Sequence, residues 1–488
     1  MNKRNLRVYE RADLYPQSIS YYFPLFYSSP DEHPYVANIW EVGAFKDGYF
    51  WWARDVDELE KRFRKWFGVW LDDPKERARH YKMHTQARKK ILEAIVSLKK
   101  KDLTTVPTKE LLHQYSLLYG LASKFILFAE YTVDVFDDVF HKIFTEYLES
   151  NANKPIDSAD LAEFMRPATL SASSEYKKAL LERSLQPSIL EDNIQKTAEK
   201  FSWIRMGWDG SNEITQKQVR EELMELSDLP AEKRGQELES ITNYGATVDN
   251  KRKDLCTAYS IAPDTLSGHF DLLDMFNVLH DNRKEVQMRC NQIIYRVLRE
   301  IPNRFDVTYE EILLYFPEEL LALLEEGAPV NTSEINKRKT GLTMQIQSGK
   351  VQITYGADAR KVLQDEVLSV IQSDEATETE GIPANAGTAK GIAFVTKSAK
   401  DANAHLEQGE ILITTMTTVD YLPAMKRAAA IVTDDGGMTC HAAVVSRELG
   451  TPSIVGTKNA TQLFTSGDRV YVDAGIGIIK KIKGANLD

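Results

Sequence analysis

The spacing of the apolar residues changes near residue 373, and this change limits the folds that the chain can adopt. Before it, apolar residues recur mostly at helical intervals, whereas beyond residue 380 short β-rich runs alternate with glycines. The intervening stretch 373–380 contains four acidic residues and no apolar residue larger than alanine. Such composition predicts a solvated linker. We therefore expect a multidomain protein, with a mainly α-helical N-terminal region containing some β structure and a compact α/β unit over 381–488.

The region before the linker is predicted to have two parts. Residues 1–120 form an aromatic-rich α+β segment, in which 48–54 resembles a strand and a helix begins near Val56 with Asp55 as its N-cap. Residues 121–372 are predicted to be mainly helical and to end in a hairpin over 342–355. The predicted helices lie at about 73–148, 157–165, 174–184, 188–204, 213–227, 269–300, 308–316, 317–326 and 357–371.

Composition argues against several classes of protein. The net charge of −11, from 61 basic and 72 acidic residues, disfavours a general nucleic-acid or anionic-membrane binder. Three cysteines are too few and too scattered for a disulfide framework or a zinc cage, and we predict no metal site. The sequence has neither an 18-residue apolar run nor the apolar core of a signal peptide at its start, so we expect a cytoplasmic protein.

The segment 431–457 combines a strand, a glycine turn and a short helix. The strand ends at Thr433, Gly436 and Gly437 allow a close backbone approach, and Thr439 is a suitable N-cap for the following helix. His441 is then in the first helical turn, where free backbone N–H groups and the helix dipole favour an anion. A neutral imidazole in that place is suited to carry a phosphoryl group. By these residues alone, an ordinary polar or capping histidine is the commoner explanation.

The sequence TDDGGMTCHAAVVSRELGTPSIVGT strongly resembles the phosphohistidine, or swivelling, domain of the phosphoenolpyruvate (PEP)-utilising family. That family includes PEP synthase, pyruvate phosphate dikinase, rifampicin phosphotransferase and phenylphosphate synthase. The resemblance extends over about 381–483. It implies that His441 is the phosphorylated histidine and that Thr439 hydrogen-bonds its phosphate or ring.

The same resemblance assigns phosphate binding to the turn at Gly436 and Gly437, and Arg447 is a further candidate. Asp435 occupies the position before the glycine pair where many family members have an arginine. A cation from Arg447, or from a lysine or arginine of another domain, could replace it. The alternative for Arg447 is a salt bridge with Glu448 or another neighbour.

No ATP-grasp motif or PEP barrel is recognisable in the sequence. The helical region is similar to the acceptor-binding domain of rifampicin-phosphotransferase-like proteins. The resemblance therefore implies a dikinase-type phosphotransferase component that is incomplete without a partner. A separate ATP-grasp subunit would bind the donor, ATP or PEP, with Mg²⁺, and His441 would pass the phosphoryl group to a small-molecule acceptor in the helical domain.

Two groups of polar residues are candidates for the acceptor site. Their positions suit acid–base chemistry or phosphate contact, although a solvent-facing helix edge explains either group equally simply. The candidates are Glu130, Asp134, Asp138 and His141 in one stripe, and His280, Asp281 and Arg283 on the long helix.

Two other functions are open at the level of sequence. One is a phosphocarrier or regulatory protein, in which phosphorylation of His441 changes binding by the helical region. The other is a scaffold whose histidine is never phosphorylated, an interpretation that Asp435 makes conceivable.

Overall fold

A computed structural model describes residues 6–12, 41–46, 49–129, 139–186, 190–347, 350–368, 377–437 and 440–482. The architecture is a mainly helical N-terminal region followed by a C-terminal β-sheet region, as expected from the change in apolar spacing. Among the described residues, no helix has the length and apolar character needed to cross a membrane.

A five-stranded antiparallel sheet joins the two ends of the N-terminal region. Its strand order is β1-β3-β2-β4-β5, and the central pairing of β2 with β4 connects residues 41–46 to residues 342–347. The strands are β1 (Leu6–Ala12), β2 (Glu41–Lys46), β3 (Tyr49–Asp55), β4 (Leu342–Gln347) and β5 (Lys350–Tyr355). The predicted hairpin is confirmed as β4 and β5. The sheet therefore contains strands from both of the predicted segments, residues 1–120 and residues 121–372.

The helices surround one long central helix. In chain order they are α1 (Val56–Asp72), α2 (Pro74–Lys99), α3 (Thr108–Ala129), α4 (His141–Asn151), α5 (Ser158–Phe164), α6 (Ala172–Ser184), α7 (Glu191–Phe201), α8 (Gln216–Ser227), α9 (Ala231–Ala258), α10 (Pro263–Glu300), α11 (Tyr309–Ile312), α12 (Pro317–Glu326), α13 (Thr332–Lys339) and α14 (Gly356–Val362). Asp55 caps α1 as predicted, because its carboxylate accepts hydrogen bonds from the backbone N–H groups of Asp57 and Glu58. Residue 120 lies inside α3, so no chain break or loop marks the predicted boundary there.

Several helical features differ from the sequence prediction, and the predicted stretch 73–148 contains three separate helices, α2, α3 and α4. The 28-residue helix α9 was not predicted, and α10 begins at Pro263 rather than near residue 269. The sequence of α9 is mostly polar, and its buried positions, such as Val248 and Leu255, lie in its second half. A helix that packs through part of its length leaves little apolar periodicity to recognise. The central helix α10 is the opposite case, since it buries residues along most of its 38-residue length.

The C-terminal region is built on an eight-stranded sheet of order β6-β13-β12-β8-β9-β10-β11-β7. Strands β8, β9, β10 and β11 are parallel to one another, and the outer pairings are antiparallel. The elements are β6 (Glu378–Glu380), β7 (Ile382–Asn385), β8 (Thr388–Val395), α15 (Ala399–His405), β9 (Ile411–Thr414), α16 (Leu422–Met425), β10 (Ala430–Thr433), α17 (His441–Leu449), β11 (Ser453–Val455), α18 (Ala460–Leu463), β12 (Arg469–Asp473) and β13 (Ile478–Lys481). The five β-rich runs predicted from the sequence are confirmed as β8 to β12. The predicted linker needs one correction, since residues 378–380 pair with β13 as an edge strand.

The C-terminal region packs against the helical region near α6 and α10. The Ser174 hydroxyl on α6 donates a 2.9 Å hydrogen bond to the Glu448 carboxylate on α17. Val419, in the loop after β9, packs against the apolar cluster formed by α6, α7 and α8. The last turn of α17 and the loop after β9 therefore contact the helical region.

Candidate functional site

His441 is the first residue of α17, the helix that connects parallel strands β10 and β11. The residues between β10 and α17 lie at the carboxyl end of the sheet, where parallel α/β folds place their ligands. The N-cap is Cys440, whose Sγ accepts a 3.4 Å hydrogen bond from the backbone N–H of Ala443. The helix thus starts one residue later than an N-cap at Thr439 would require. Thr439 itself lies outside the described residues, so its predicted contact with His441 stays a prediction.

Thr417 contacts the His441 ring. Its Oγ1 lies 2.8 Å from Nδ1 of His441, and its side chain is buried. The contact arises because β9 and β10 are parallel neighbours, so the loops that follow them emerge side by side. The backbone N–H of Asp435 donates to the Thr415 carbonyl at 2.8 Å and holds the two loops together.

Burial keeps the His441 imidazole neutral. Desolvation, with a further contribution from the positive charge of Lys284 on α10, lowers the pKa of His441 to about 3. The side chain still keeps part of its surface exposed. At neutral pH the ring is therefore unprotonated on one nitrogen. With Nδ1 held by Thr417, the nitrogen left for a reacting group is Nε2.

The turn before α17 depends on glycine. Gly436 has a φ of +111°, and a Cβ there would lie 2.6 Å from Cys440 Sγ. Gly437 is buried, and its carbonyl accepts a 3.1 Å hydrogen bond from the Cys440 N–H. A side chain at position 436 would therefore collide with the helix cap that precedes the histidine.

Asp434 anchors the other end of the same turn. Its Oδ1 accepts hydrogen bonds from the Thr461 backbone N–H at 3.0 Å and from Thr457 Oγ1 at 3.2 Å. Burial raises the pKa of Asp434 to about 6 against the effect of these hydrogen bonds. Asp434 and Asp435 are both buried. Neither carboxylate is therefore exposed at the surface around His441.

Arg447 follows His441 by six residues on α17. Its guanidinium donates a 3.3 Å hydrogen bond to the Ala384 carbonyl on β7. The pKa of Arg447 is lowered by burial, while the nearby Tyr244 acts in the opposite direction and Arg166 lowers the pKa further. Glu448, the alternative partner considered from the sequence, accepts a hydrogen bond from Ser174. Arg447 is thus placed between the sheet region and the helical region.

The acceptor-site candidates are described only in part. Glu130, Asp134 and Asp138 lie outside the described residues. His141 is the first residue of α4, where burial lowers its pKa to about 4. His280 and Arg283 are partly buried on α10, where Arg283 directly precedes Lys284 and His280 lies four residues before it. The stretch of α10 that bears His280 and Arg283 is therefore the one whose charge acts on His441.

The sequence interpretation gave no role to Thr417 or Lys284, and it considered Asp281 only as a candidate contact of a phosphate or acceptor. Thr417 lies within the span 381–483 of the family resemblance, so a signal for it was present. Lys284 lies on a long helix, and nothing in its spacing indicates a histidine 157 residues later. Among the described residues, no group of three or more His, Cys, Asp and Glu side chains is placed to hold a metal ion.

These features define an α/β domain with a neutral, half-buried histidine at a helix start beside a glycine turn. The family model of the mobile domain of PEP-utilising enzymes matches residues 406–477, which include β9, β10, α17, β11 and β12. The C-terminal part of the chain therefore contains a mobile domain of the PEP-utilising type. The resemblance inferred from the sequence is confirmed.

Curated relatives support the same assignment over a limited length. A probable phosphoenolpyruvate synthase from Archaeoglobus fulgidus is 46% identical over 138 residues, which are 28% of this chain and 18% of that protein. The phosphoenolpyruvate synthase of Aeropyrum pernix is 48% identical over 99 residues, covering 20% of this chain and 12% of that protein. A pyruvate kinase from Geobacillus stearothermophilus is 36% identical over 162 residues, or 32% of this chain and 27% of that protein. The chain thus spans well under a third of the length of these relatives.

One solved structure was also similar, the solution structure of Enzyme I (nEIt). It covers 64% of this chain and 81% of its own, with 15% identity and a TM-score of 0.19. At that TM-score the likeness carries no argument about fold or function.

Proposed function

We propose that this protein is a phosphotransferase component that carries a phosphoryl group on Nε2 of His441. The observation that carries the proposal is the contact between Thr417 Oγ1 and His441 Nδ1, combined with the neutral state of the ring. A proton on Nδ1, donated to Oγ1, leaves the lone pair of Nε2 available for attack on phosphorus. The compact α/β C-terminal unit is, in this proposal, the swivelling phosphohistidine domain.

Several groups of this chain would stabilise the charge of the phosphoryl group. Gly436 and Gly437 give the backbone access, the helix start supplies N–H groups and a positive dipole end, and Thr439 is proposed to contact the phosphate or ring. Lys284 adds a cation from the helical region, which supports it as the replacement for the arginine that Asp435 displaces. Arg447 stays a candidate for phosphate binding on the same domain.

The donor and its binding site are proposed to belong to a separate subunit. An ATP-grasp partner would hold ATP or PEP together with Mg²⁺, which would neutralise phosphate charge during the transfer. The acceptor would be a small molecule bound by the helical region, with His141, His280 and Arg283, and the stripe of Glu130, Asp134 and Asp138, as candidate contacts. The division at 120, 372 and 380 into N-terminal, acceptor-binding, linker and phosphohistidine parts stays a proposal.

Labelling of the purified protein tests this function. The wild type and His441→Ala would be incubated with ATP labelled on its β-phosphate, in parallel with and without native lysate, and the label tested for acid lability and alkali stability. We expect label on the wild type in the presence of lysate and none on His441→Ala. Labelled PEP serves as the second donor in the same design.

The other outcomes separate the alternatives. Stable phosphorylation without any phosphorylated small molecule in the reaction favours a phosphocarrier or regulatory protein. Absence of acid-labile phosphate with both donors, in the presence of lysate, contradicts the proposal and favours the scaffold interpretation.

A further inference from the structure

A groove with a volume of about 430 Å³ lies in the helical region, where the end of α1, one face of α4 and the start of α10 meet. Its walls include Asp72 on α1, Glu146 and Tyr147 on α4, and Asp264 and His269 on α10. The volume is in the range of small-molecule binding sites. None of the described residues that line the groove belongs to the C-terminal region, so this site is separate from the one around His441.

Close packing between α1 and α10 fixes one side of the groove. Gly268 lines it and lets α1 approach α10, because a Cβ there would lie 2.9 Å from the Leu71 carbonyl oxygen. Arg77 joins the same two helices, since its guanidinium donates to the Leu71 carbonyl at 3.0 Å and to the Asp271 carboxylate at 2.8 Å. The groove is therefore largely preformed, which reduces the conformational cost of binding a ligand.

The charges of the lining favour a cation. Among the described residues that line the groove, three are acidic and none is lysine or arginine. Glu146 is neutralised from outside the groove, because Arg64 donates two hydrogen bonds of 2.9 Å to its carboxylate. Asp72 and Asp264 are exposed, and neither forms an ion pair with another residue in the described part of the chain. The groove thus presents two carboxylates whose charge is not balanced by a neighbouring side chain.

The position of Asp72 strengthens this preference. Asp72 is the last residue of α1, and the last turn of that helix contains no basic residue. A helix C-terminus carries the negative end of the dipole, so a carboxylate there is unfavourable, whereas a cation is stabilised. Asp264 has an ordinary structural explanation, since it lies in the first turn of α10. A cation bound between α1 and α10 would compensate the unfavourable charge at the end of α1.

His269 gives an independent indication of a ligand. It lines the groove, is 4% exposed, and neither of its ring nitrogens has a hydrogen-bond partner among the described residues. Burial lowers its pKa to about 4, so the imidazole is neutral at neutral pH and does not repel a cation. A neutral imidazole has one nitrogen that accepts a hydrogen bond, and buried polar atoms normally have a partner. A ligand with an N–H donor would provide that partner.

Aromatic rings beside His269 favour an organic cation over a metal ion. The His269 ring lies 4.4 Å from the Tyr147 ring and stacks on the Phe144 ring at 4.8 Å, measured between centroids. Tyr147 also lines the groove, where its ring can contact an ammonium group or the carbon atoms attached to it. No group of three or more His, Cys, Asp and Glu side chains within the described ranges is placed to hold a metal ion.

We propose that this groove binds a small organic amine in its ammonium form. The carboxylates of Asp72 and Asp264 attract the positive charge, the Tyr147 ring contacts the carbon atoms, and the His269 imidazole accepts a hydrogen bond from an N–H group of the ligand. The site goes beyond the proposed function and does not depend on phosphorylation of His441.

Isothermal titration calorimetry of the full chain tests this inference. The probes are 1,4-diaminobutane and benzylamine, both cationic at neutral pH, and each is compared with its neutral analogue, 1,4-butanediol or benzyl alcohol. We expect saturable binding of at least one amine, roughly tenfold or more tighter than that of its analogue, because only the amine forms charge-assisted hydrogen bonds. Added salt should weaken the binding of the amine, because the two carboxylates are exposed.

Carboxylate variants locate the site. Asp72→Asn and Asp264→Asn keep the size of the side chains but remove the charge, and each should weaken binding of the amine roughly tenfold. Glu149→Gln is the matched control, because Glu149 is exposed on α4 and does not line the groove. It should bind the amine as the wild type does. Thermal unfolding verifies that each variant is folded.

Replacement of His269 tests the floor of the groove. His269→Phe keeps an aromatic ring between α4 and α10 but removes the nitrogen that accepts a hydrogen bond. It should weaken binding of the amine severalfold and leave any binding of the neutral analogue unchanged. If this variant does not fold, the two carboxylate variants still decide the inference.

Three outcomes would overturn the inference. They are the absence of saturable binding by both amines, equal binding of an amine and its neutral analogue, and unchanged binding in both Asp72→Asn and Asp264→Asn. Tighter binding of Mg²⁺ than of either amine, lost in the same two variants, would identify a metal site instead. His441→Ala should bind the amine as the wild type does, so a failure of the proposed function and a failure of this inference are distinguishable.

Discussion

Thr417 Oγ1 lies 2.8 Å from Nδ1 of His441, although the two residues belong to different β–α connections. The contact exists because β9 and β10 are adjacent parallel strands, whose following loops meet at one edge of the sheet. It fixes the orientation of the imidazole and leaves Nε2 as the ring nitrogen available to a reacting group. The chemistry proposed for this protein depends on that orientation.

Replacement of Thr417 tests the orientation directly. Thr417→Val keeps the shape of the side chain but removes the hydroxyl, so both the tautomer and the ring position lose their support. We expect the rate of His441 phosphorylation by phosphoramidate to fall roughly 10–100-fold, as for loss of a hydrogen bond at a buried site. Thr417→Ser should retain most of the rate. Thr418→Val is the matched control, because Thr418 makes no side-chain capping bond at its turn, and an equal loss in that variant would contradict the role of Thr417.

The pH dependence of the same reaction tests the neutral state of His441. Its pKa is lowered to about 3, so the ring stays neutral as the pH falls from 8 to 5. A histidine in an unstructured peptide has a pKa of about 6.5 and becomes protonated over that range. We expect the ratio of the His441 rate to the peptide rate to rise roughly tenfold between pH 7.5 and pH 5.5. A constant ratio would show that His441 titrates like an exposed histidine.

Gly436 provides a test of the turn before α17. Gly436→Ala introduces a Cβ that would lie 2.6 Å from Cys440 Sγ, at a φ of +111°. We expect about 1–3 kcal/mol loss in the free energy of unfolding, together with a loss of His441 phosphorylation. Gly409→Ala is the matched control, since Gly409 also has a positive φ, +90°, but its added Cβ would meet nothing within 4 Å.

Comparison of Gly436→Ala with Gly409→Ala separates the effect of backbone strain at a positive φ from the effect of a steric clash with Cys440. Gly409→Ala should lose some stability and keep the phosphorylation rate of the wild type. Thermal unfolding and mass spectrometry of the phosphorylated protein measure the two effects separately. Normal phosphorylation of Gly436→Ala would mean that the turn has no part in the reaction.

Two glycines on α9 test how closely this helix packs against the segment 166–172. Gly245→Ala places a Cβ about 2.8 Å from the Ala168 carbonyl oxygen and should displace the segment 166–172. Gly235→Ala meets nothing within 4 Å on the same helix. We expect the second variant to stabilise the protein by about 0.5–1 kcal/mol, from helix propensity alone, and the first to destabilise it by a similar or larger amount.

Chemical denaturation measures both α9 variants under identical conditions. Equal stabilisation by both substitutions would contradict the close packing of α9 on Ala168.

Local patterns in the sequence were sufficient for much of the fold. The strand–turn–helix order around His441, the cap of α1 by Asp55 and the runs that became β8 to β12 are set by neighbours in the chain, through side-chain period, capping and glycine dihedrals. The helix α9 was not predicted, because it packs through only part of its length and so shows little apolar periodicity. The edge strand β6 was not predicted either, because it forms only by pairing with β13, which lies about 100 residues later in the sequence.

The sequence by itself indicated His441 as the candidate residue and identified the type of domain that carries it, since both depend on a contiguous motif. The tertiary structure alone decided which groups act on that histidine. Thr417 reaches it through the parallel pairing of two strands, and the charge of Lys284 acts on it because α10 packs near the C-terminal region. Contacts of this kind depend on packing between residues that are distant in the sequence, and such packing produces no periodic pattern by which they could be recognised.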